Sequence, residues 1–173
     1  MDIILAVALF VHVLSAIAAF GPSFTFPIIG AAGGREPMHG NFALRLTELI
    51  ESRLLMVGWV VQPVSGFVIV WAASIDFFDP GSRWLVSAII IYAIAIAISS
   101  FIQLPTLKAM VELTSRPPAI GGAVAAAAGG PGAAPAGPPP EFLALVTKSQ
   151  RTGLLLTLLL VIIIYLMVVK PVV

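Results

Sequence analysis

His12 and His39 are the two histidines of the chain, which contains no cysteine. His12 stands out for its setting, Leu9-Phe10-Val11-His12-Val13-Leu14-Ser15, inside an apolar run from residue 3 to residue 34 that carries no formal charge. Such a run is long enough to cross a bilayer. An ionisable ring at membrane depth is unfavourable, so it is a functional candidate by default. Three chemistries suit it: holding a haem or metal, passing a proton, or hydrogen-bonding across helices to set their register. The remaining residues offer little else. There is no Ser-His-acid set, no carboxylate pair within an apolar run, no glycine-rich phosphate loop and no His-x-x-x-His. No enzyme activity is expected. The absence of cysteine removes disulfides, thiol catalysis and cysteine-ligated metal or iron–sulfur sites.

The elements that must position His12 follow from composition and hydropathy. Sixty per cent of the 173 residues are hydrophobic and 10% are charged, with a mean hydropathy of +1.09. A soluble domain needs more charged surface than this, so the chain reads as an integral membrane protein whose first partner is the lipid bilayer. A net charge of +1 gives no electrostatic footprint for nucleic acid, and that class is set aside. The Met1-Asp2 start lacks the basic opening of a signal peptide, and its apolar run exceeds a signal core. A retained first helix is expected.

Four spans are expected, making an all-α, four-span transmembrane helix bundle. The first covers about 3–29, punctuated and kinked by Pro22 and Pro27. A polar turn over 35–40 precedes Asn41, which suits a helix N-cap. Phe42, Leu46, Leu49, Ile50 and Leu54 then recur at helical spacing, with Arg45, Glu48, Glu51 and Arg53 between them. This is an amphipathic extension of the second span, 54–74. Pro63 is expected to kink that span and free the Trp59 carbonyl. The third span covers 84–104 and is expected to close at Pro105, with a short amphipathic helix over 106–115. Residues 117–140 are Pro, Gly and Ala with little bulky apolar surface, the composition of a flexible linker. An amphipathic lead-in over 141–151 opens the fourth span, 152–169. The organisation is therefore 1–116 for the first three spans, 117–140 for the linker and 141–173 for the lead-in and last span.

Arg35, Arg45, Arg53, Lys108, Arg116, Lys148 and Arg151 fall on one side of such a bundle, and Arg83 and Lys170 on the other. The positive-inside rule then makes loops 31–53 and 105–151 cytoplasmic and both termini external. Trp71, Trp84 and Tyr165 fall at the external interface, where aromatic belts sit.

Depth along each helix, at about 1.5 Å per residue, brings His12, Ser15, Gln62, Ser65 and Tyr92 to similar levels near mid-bilayer. They are expected to form one intramembrane polar cluster. Gly58, Gln62 and Gly66 add a stripe of small residues and one amide that suits close helix packing. His39 belongs to a solvated turn, too far from His12 to share a metal. Asp76 and Asp79 read as solvated turn residues. Glu48, Glu51, Lys108, Glu112 and Arg116 lie on helix extensions, where they could pair or meet a partner.

The first-helix pattern His12-x-Leu14-x-Ala16-x-x-x-Phe20-Gly21 resembles that of bacterial membrane proteins related to copper-resistance D. The four-span plan with Pro63-x-x-Gly66 is similar to a bacterial family of predicted four-helix integral membrane proteins of unknown function. The resemblance implies a bacterial inner (plasma) membrane location. In the wider group intramembrane histidines are associated with haem b or copper, which here would fall to His12 alone. This chain departs from the pattern in having no second intramembrane histidine and Phe20 where tryptophan is usual. A haem held at two axial positions would need His12 from a second subunit, as in a homodimer, or a different second ligand such as a methionine. The leading expectation is a non-enzymatic accessory or scaffold subunit of a homodimer or larger membrane complex. A haem- or copper-binding protein using His12 and a small transporter or proton path are the alternatives.

Overall fold

The computed structural model describes residues 2–115 and 139–171. Nearly all of the expected linker, 117–140, lies outside the described residues. Among the described residues, four helical stretches are long and apolar enough to span a membrane: Ile3–Arg35, Gly40–Ala72, Pro80–Ser115 and Pro140–Val169.

Helix α1, Ile3–Phe20, opens on Asp2, whose carboxylate accepts the Ile4 amide at 3.2 Å. This caps one of the amides that a helix start leaves without an intrahelical partner. Gly21 and Pro22 then tighten the chain into a 3-10 turn, Gly21–Phe24, and α2 restarts at Phe26–Arg35. Pro22 and Pro27 both sit in first turns, where a missing amide proton removes no helical bond. They divide the first span into segments. Helix α3, Gly40–Ala72, carries Pro63 in its interior and continues through it.

Pro105 does not close the third span. Helix α4, Arg83–Ile98, passes through a π-turn, Ser99–Gln103, directly into α5, Leu104–Ser115. Proline removes one amide donor and crowds the preceding turn, and a wider π-turn ahead of it relaxes that crowding without ending the helix. The last helix, α6, Pro140–Val169, merges the lead-in and the fourth span. It stops at Lys170, which takes the left-handed conformation (φ 47°) and donates its amide to the Leu166 carbonyl at 3.0 Å. The Lys170 ammonium lies 5.4 Å from the centre of the Trp84 ring, a cation–π contact joining the ends of α4 and α6.

The spans associate as two pairs, α1 along α3 and α4 along α6, while α5 packs against both α3 and α6 and joins the pairs. Buried apolar positions include Ala8, Ala19 and Ala88, whereas Phe10, Phe67, Leu154 and Val168 are exposed. Leu85, Ile96, Leu107, Met110 and Leu160 are buried as well, so small and large side chains share the helix contacts, while the exposed large apolar residues suit a lipid-facing surface. Asn41 is not the N-cap of α3. It lies in the first turn, and its amide donates to Thr114 at 2.8 Å and Ser115 at 2.9 Å, pinning the start of α3 to the end of α5.

Helices α2 and α3 pack closely at Gly33. A methyl group at Gly33 would fall 2.8 Å from the Ala43 Cβ, while one at Gly34 would meet nothing within 4 Å. Gly33→Ala is therefore expected to destabilise the protein by about 1–3 kcal/mol through overpacking. Gly34→Ala should leave stability unchanged or slightly raised. Thermal unfolding of the two variants in detergent checks the difference.

Candidate functional site

His12 and Ser15 lie one turn apart on α1 and face Gln62 and Ser65, which lie almost one turn apart on α3. The Ser65 hydroxyl donates to the Val61 carbonyl at 2.6 Å, so its oxygen is left to accept from His12 Nδ1, 3.0 Å away. That assignment leaves His12 Nε2 as the acceptor for the Gln62 amide nitrogen at 3.4 Å. Gln62 Oε1 accepts in turn from the Ser15 hydroxyl. Gln62, Ser15 and Ser65 are buried. A single imidazole tautomer, Nδ1–H, thus satisfies both ring nitrogens and links the two helices in one network. The ring also lies close over α3, since a methyl group at Gly66 would come within 3.3 Å of His12 Cε1.

Four of the five residues expected to cluster are therefore brought together. Tyr92 stands apart: its hydroxyl donates to the Gly58 carbonyl, and its ring meets Phe20 edge-on with centroids 6.3 Å apart. The expected stripe also divides between partners. Gln62 and Gly66 face α1, whereas Gly58 faces Tyr92 and Ile96 of α4. His39 sits in its exposed turn, 3.0 Å from Glu36. Asp76 accepts the Phe78 amide at 2.9 Å, a local turn contact.

This arrangement does not fit a haem or copper ligand. Ligation requires an imidazole nitrogen with a free lone pair and an open approach, and both His12 nitrogens are engaged by α3. Among the described residues, no three His, Cys, Asp or Glu side chains stand close enough to hold a metal.

A second polar group, unforeseen from the sequence, lies where α3, the π-turn and α6 meet. Glu51 is only 7% exposed, and its carboxylate accepts from the Ser99 hydroxyl at 2.8 Å. It is a buried residue, not one displayed on an exposed helix extension. Gln103, 6% exposed, donates from Nε2 to the Ser149 hydroxyl at 3.0 Å and leaves Oε1 buried without a partner. The only hint in the sequence was an amide two residues ahead of Pro105. Trp59 adds a contact between α3 and the π-turn, donating its indole N–H to Ser100 at 3.2 Å.

Gln62 is the hub of the α1–α3 network, being the one side chain that meets both His12 and Ser15. A double-mutant cycle of Gln62→Leu and Ser15→Ala is expected to give a coupling of about 0.6–2 kcal/mol, the range for interhelical hydrogen bonds in membranes. Additive losses in detergent unfolding would show that the two side chains act independently.

No curated protein and no solved structure matches this chain. One family model does, over residues 6–171, under the description "Predicted integral membrane protein (DUF2269)". That match takes in all four membrane-spanning stretches almost completely, and the chain belongs to this family of multi-pass integral membrane proteins.

Proposed function

We propose that the protein is a non-enzymatic accessory or scaffold subunit of the bacterial inner membrane, assembling as a homodimer or within a larger complex. The observation that carries this reading is the state of His12. An imidazole with both nitrogens bonded to one neighbouring helix acts as a fastener between α1 and α3, with no lone pair offered to a cofactor. The helices outside this network support the same reading. The amphipathic start of α3, with exposed Phe42 and Leu49 among charged residues, presents a surface beyond the hydrocarbon on which a partner can act.

Both termini face the outside of the membrane in this reading, and the charged ends of α3, α5 and α6 face the cytoplasm. The distribution of Arg and Lys supports it, as does the Lys170–Trp84 contact at an interfacial level.

Two measurements test the proposal. Native mass spectrometry in mild detergent should find the chain in an oligomer or bound to another membrane protein, and a lone monomer would count against it. Because the chain has no cysteine, single cysteines report orientation directly. An impermeant thiol reagent applied to intact spheroplasts should label Asp2→Cys and spare Arg45→Cys. The reverse pattern would invert the topology.

A further inference from the structure

Glu51 stands where α3 meets the π-turn, on the charged extension that precedes the span expected from residue 54. Its side chain is buried, and the Ser99 hydroxyl, 2.8 Å away, donates to it. Ser99 is buried as well, and it begins the π-turn through which α4 runs into α5. Nothing cationic offsets the carboxylate: among the described residues, no Lys, Arg or His forms an ion pair with it. Arg53 on α3, Arg35 on α2, Lys108 and Glu112 on α5, and Lys148 and Arg151 on α6 are exposed. Glu48, one turn away on α3, is half-buried. His12 of α1 is engaged by Gln62 and Ser65, and Tyr92 of α4 by the Gly58 carbonyl. The π-turn itself carries no titratable side chain.

A carboxylate in such a seat loses its hydration and gains one hydroxyl donor, so its neutral form is favoured. Burial pushes the Glu51 carboxyl up to about 7, and the Ser99 hydrogen bond only partly opposes it. We propose that Glu51 is a proton-binding switch at the α3–π-turn junction: protonated, it fastens the two elements through Ser99, and deprotonated, it loosens them. The neutral carboxyl suits the buried seat, its carbonyl oxygen accepting from Ser99. When the proton passes to water, the carboxylate keeps that bond but carries a charge that needs further hydration. Water reaches it only if α3 and the π-turn part. A π-turn is a place where a helix can yield without ending, and Trp59 crosses the same junction to Ser100. In the proposed orientation this end of the bundle faces the cytoplasm, so the pH it reads is that of the cytoplasm.

The test compares the full chain with Glu51→Gln, a neutral isostere of the protonated side chain, in detergent from about pH 5 to about pH 9. The folded chain holds this proton more tightly than the unfolded chain does, so stability should fall as pH rises toward about 7 and level off above it. Relative to Glu51→Gln, the unfolding equilibrium constant should rise by up to about tenfold per pH unit across that window. Taking the ratio removes His12 and every other shared group. Ser99→Ala, which removes the donor to the anion, should move the step to higher pH, whereas a role in packing alone would lower stability equally at every pH. Infrared difference spectra of the folded chain give a readout without unfolding: a protonated-carboxyl band absent from Glu51→Gln should disappear near neutral pH. With Trp71 and Trp84 replaced by Phe, Trp59 emission should shift with the same midpoint. Parallel pH profiles for wild type and Glu51→Gln, or no carboxyl band titrating above the ordinary glutamate range, would overturn the proposal. A band that titrates while Trp59 emission stays constant would overturn the switch and leave a passive proton site.

Discussion

A bilayer core offers no hydrogen bonds, and the structure is organised by that constraint. Each polar side chain on a span must find a partner on its own helix or a neighbouring one. Where several meet, they decide which helices pair. His12, Ser15, Gln62 and Ser65 together join α1 to α3. Tyr92 reaches a backbone carbonyl of α3, and Gln103 reaches α6. Apolar burial separates these partners poorly, because lipid tails are as apolar as the leucines and valines facing them. Steric fit and polar contacts therefore carry the specificity. Gly33 and Gly66 mark where backbones or rings approach closely enough to need hydrogen in place of a side chain.

The two polar groups differ in kind. At His12 the donors and acceptors match: one tautomer gives each ring nitrogen a partner, and the network needs no further atom. At Glu51 and Gln103 they do not match, since a carboxylate has a single hydroxyl donor and an amide oxygen has no partner. A matched network rigidifies, whereas a mismatched one leaves a buried acceptor unspent. The residue that first attracts attention by type, the histidine, is thus the structural one. The buried atom left without a partner belongs to a glutamine, close to where the sequence pattern expected the third span to close.

Pro105 shows why Gln103 was hidden. Read along the chain, a proline after an apolar run ends a helix, and Gln103 then belongs to a fraying terminus. In the structure the preceding turn widens, the helix continues to Ser115, and Gln103 is turned into the junction with α6. Glu51 was hidden differently. Its neighbours Glu48 and Arg53 belong to a charged stretch, and helical periodicity cannot tell which member of that stretch will meet another helix.

What the sequence by itself determined is the membrane class, the all-helical fold, the four spans and the depth at which polar residues lie. Hydropathy and the 1.5 Å rise along a helix are local properties, so each can be read without knowing any neighbour. The tertiary structure alone decided the rotation of each helix about its axis and the partner each face meets. Tyr92 and His12 are at similar depth, yet they face different groups because depth says nothing about azimuth. The paired spans, the division of the Gly58–Gln62–Gly66 stripe between α4 and α1, and the burial of Glu51 all follow from azimuth. It is set by which side chains interlock between helices, and no periodicity within a single helix contains that information.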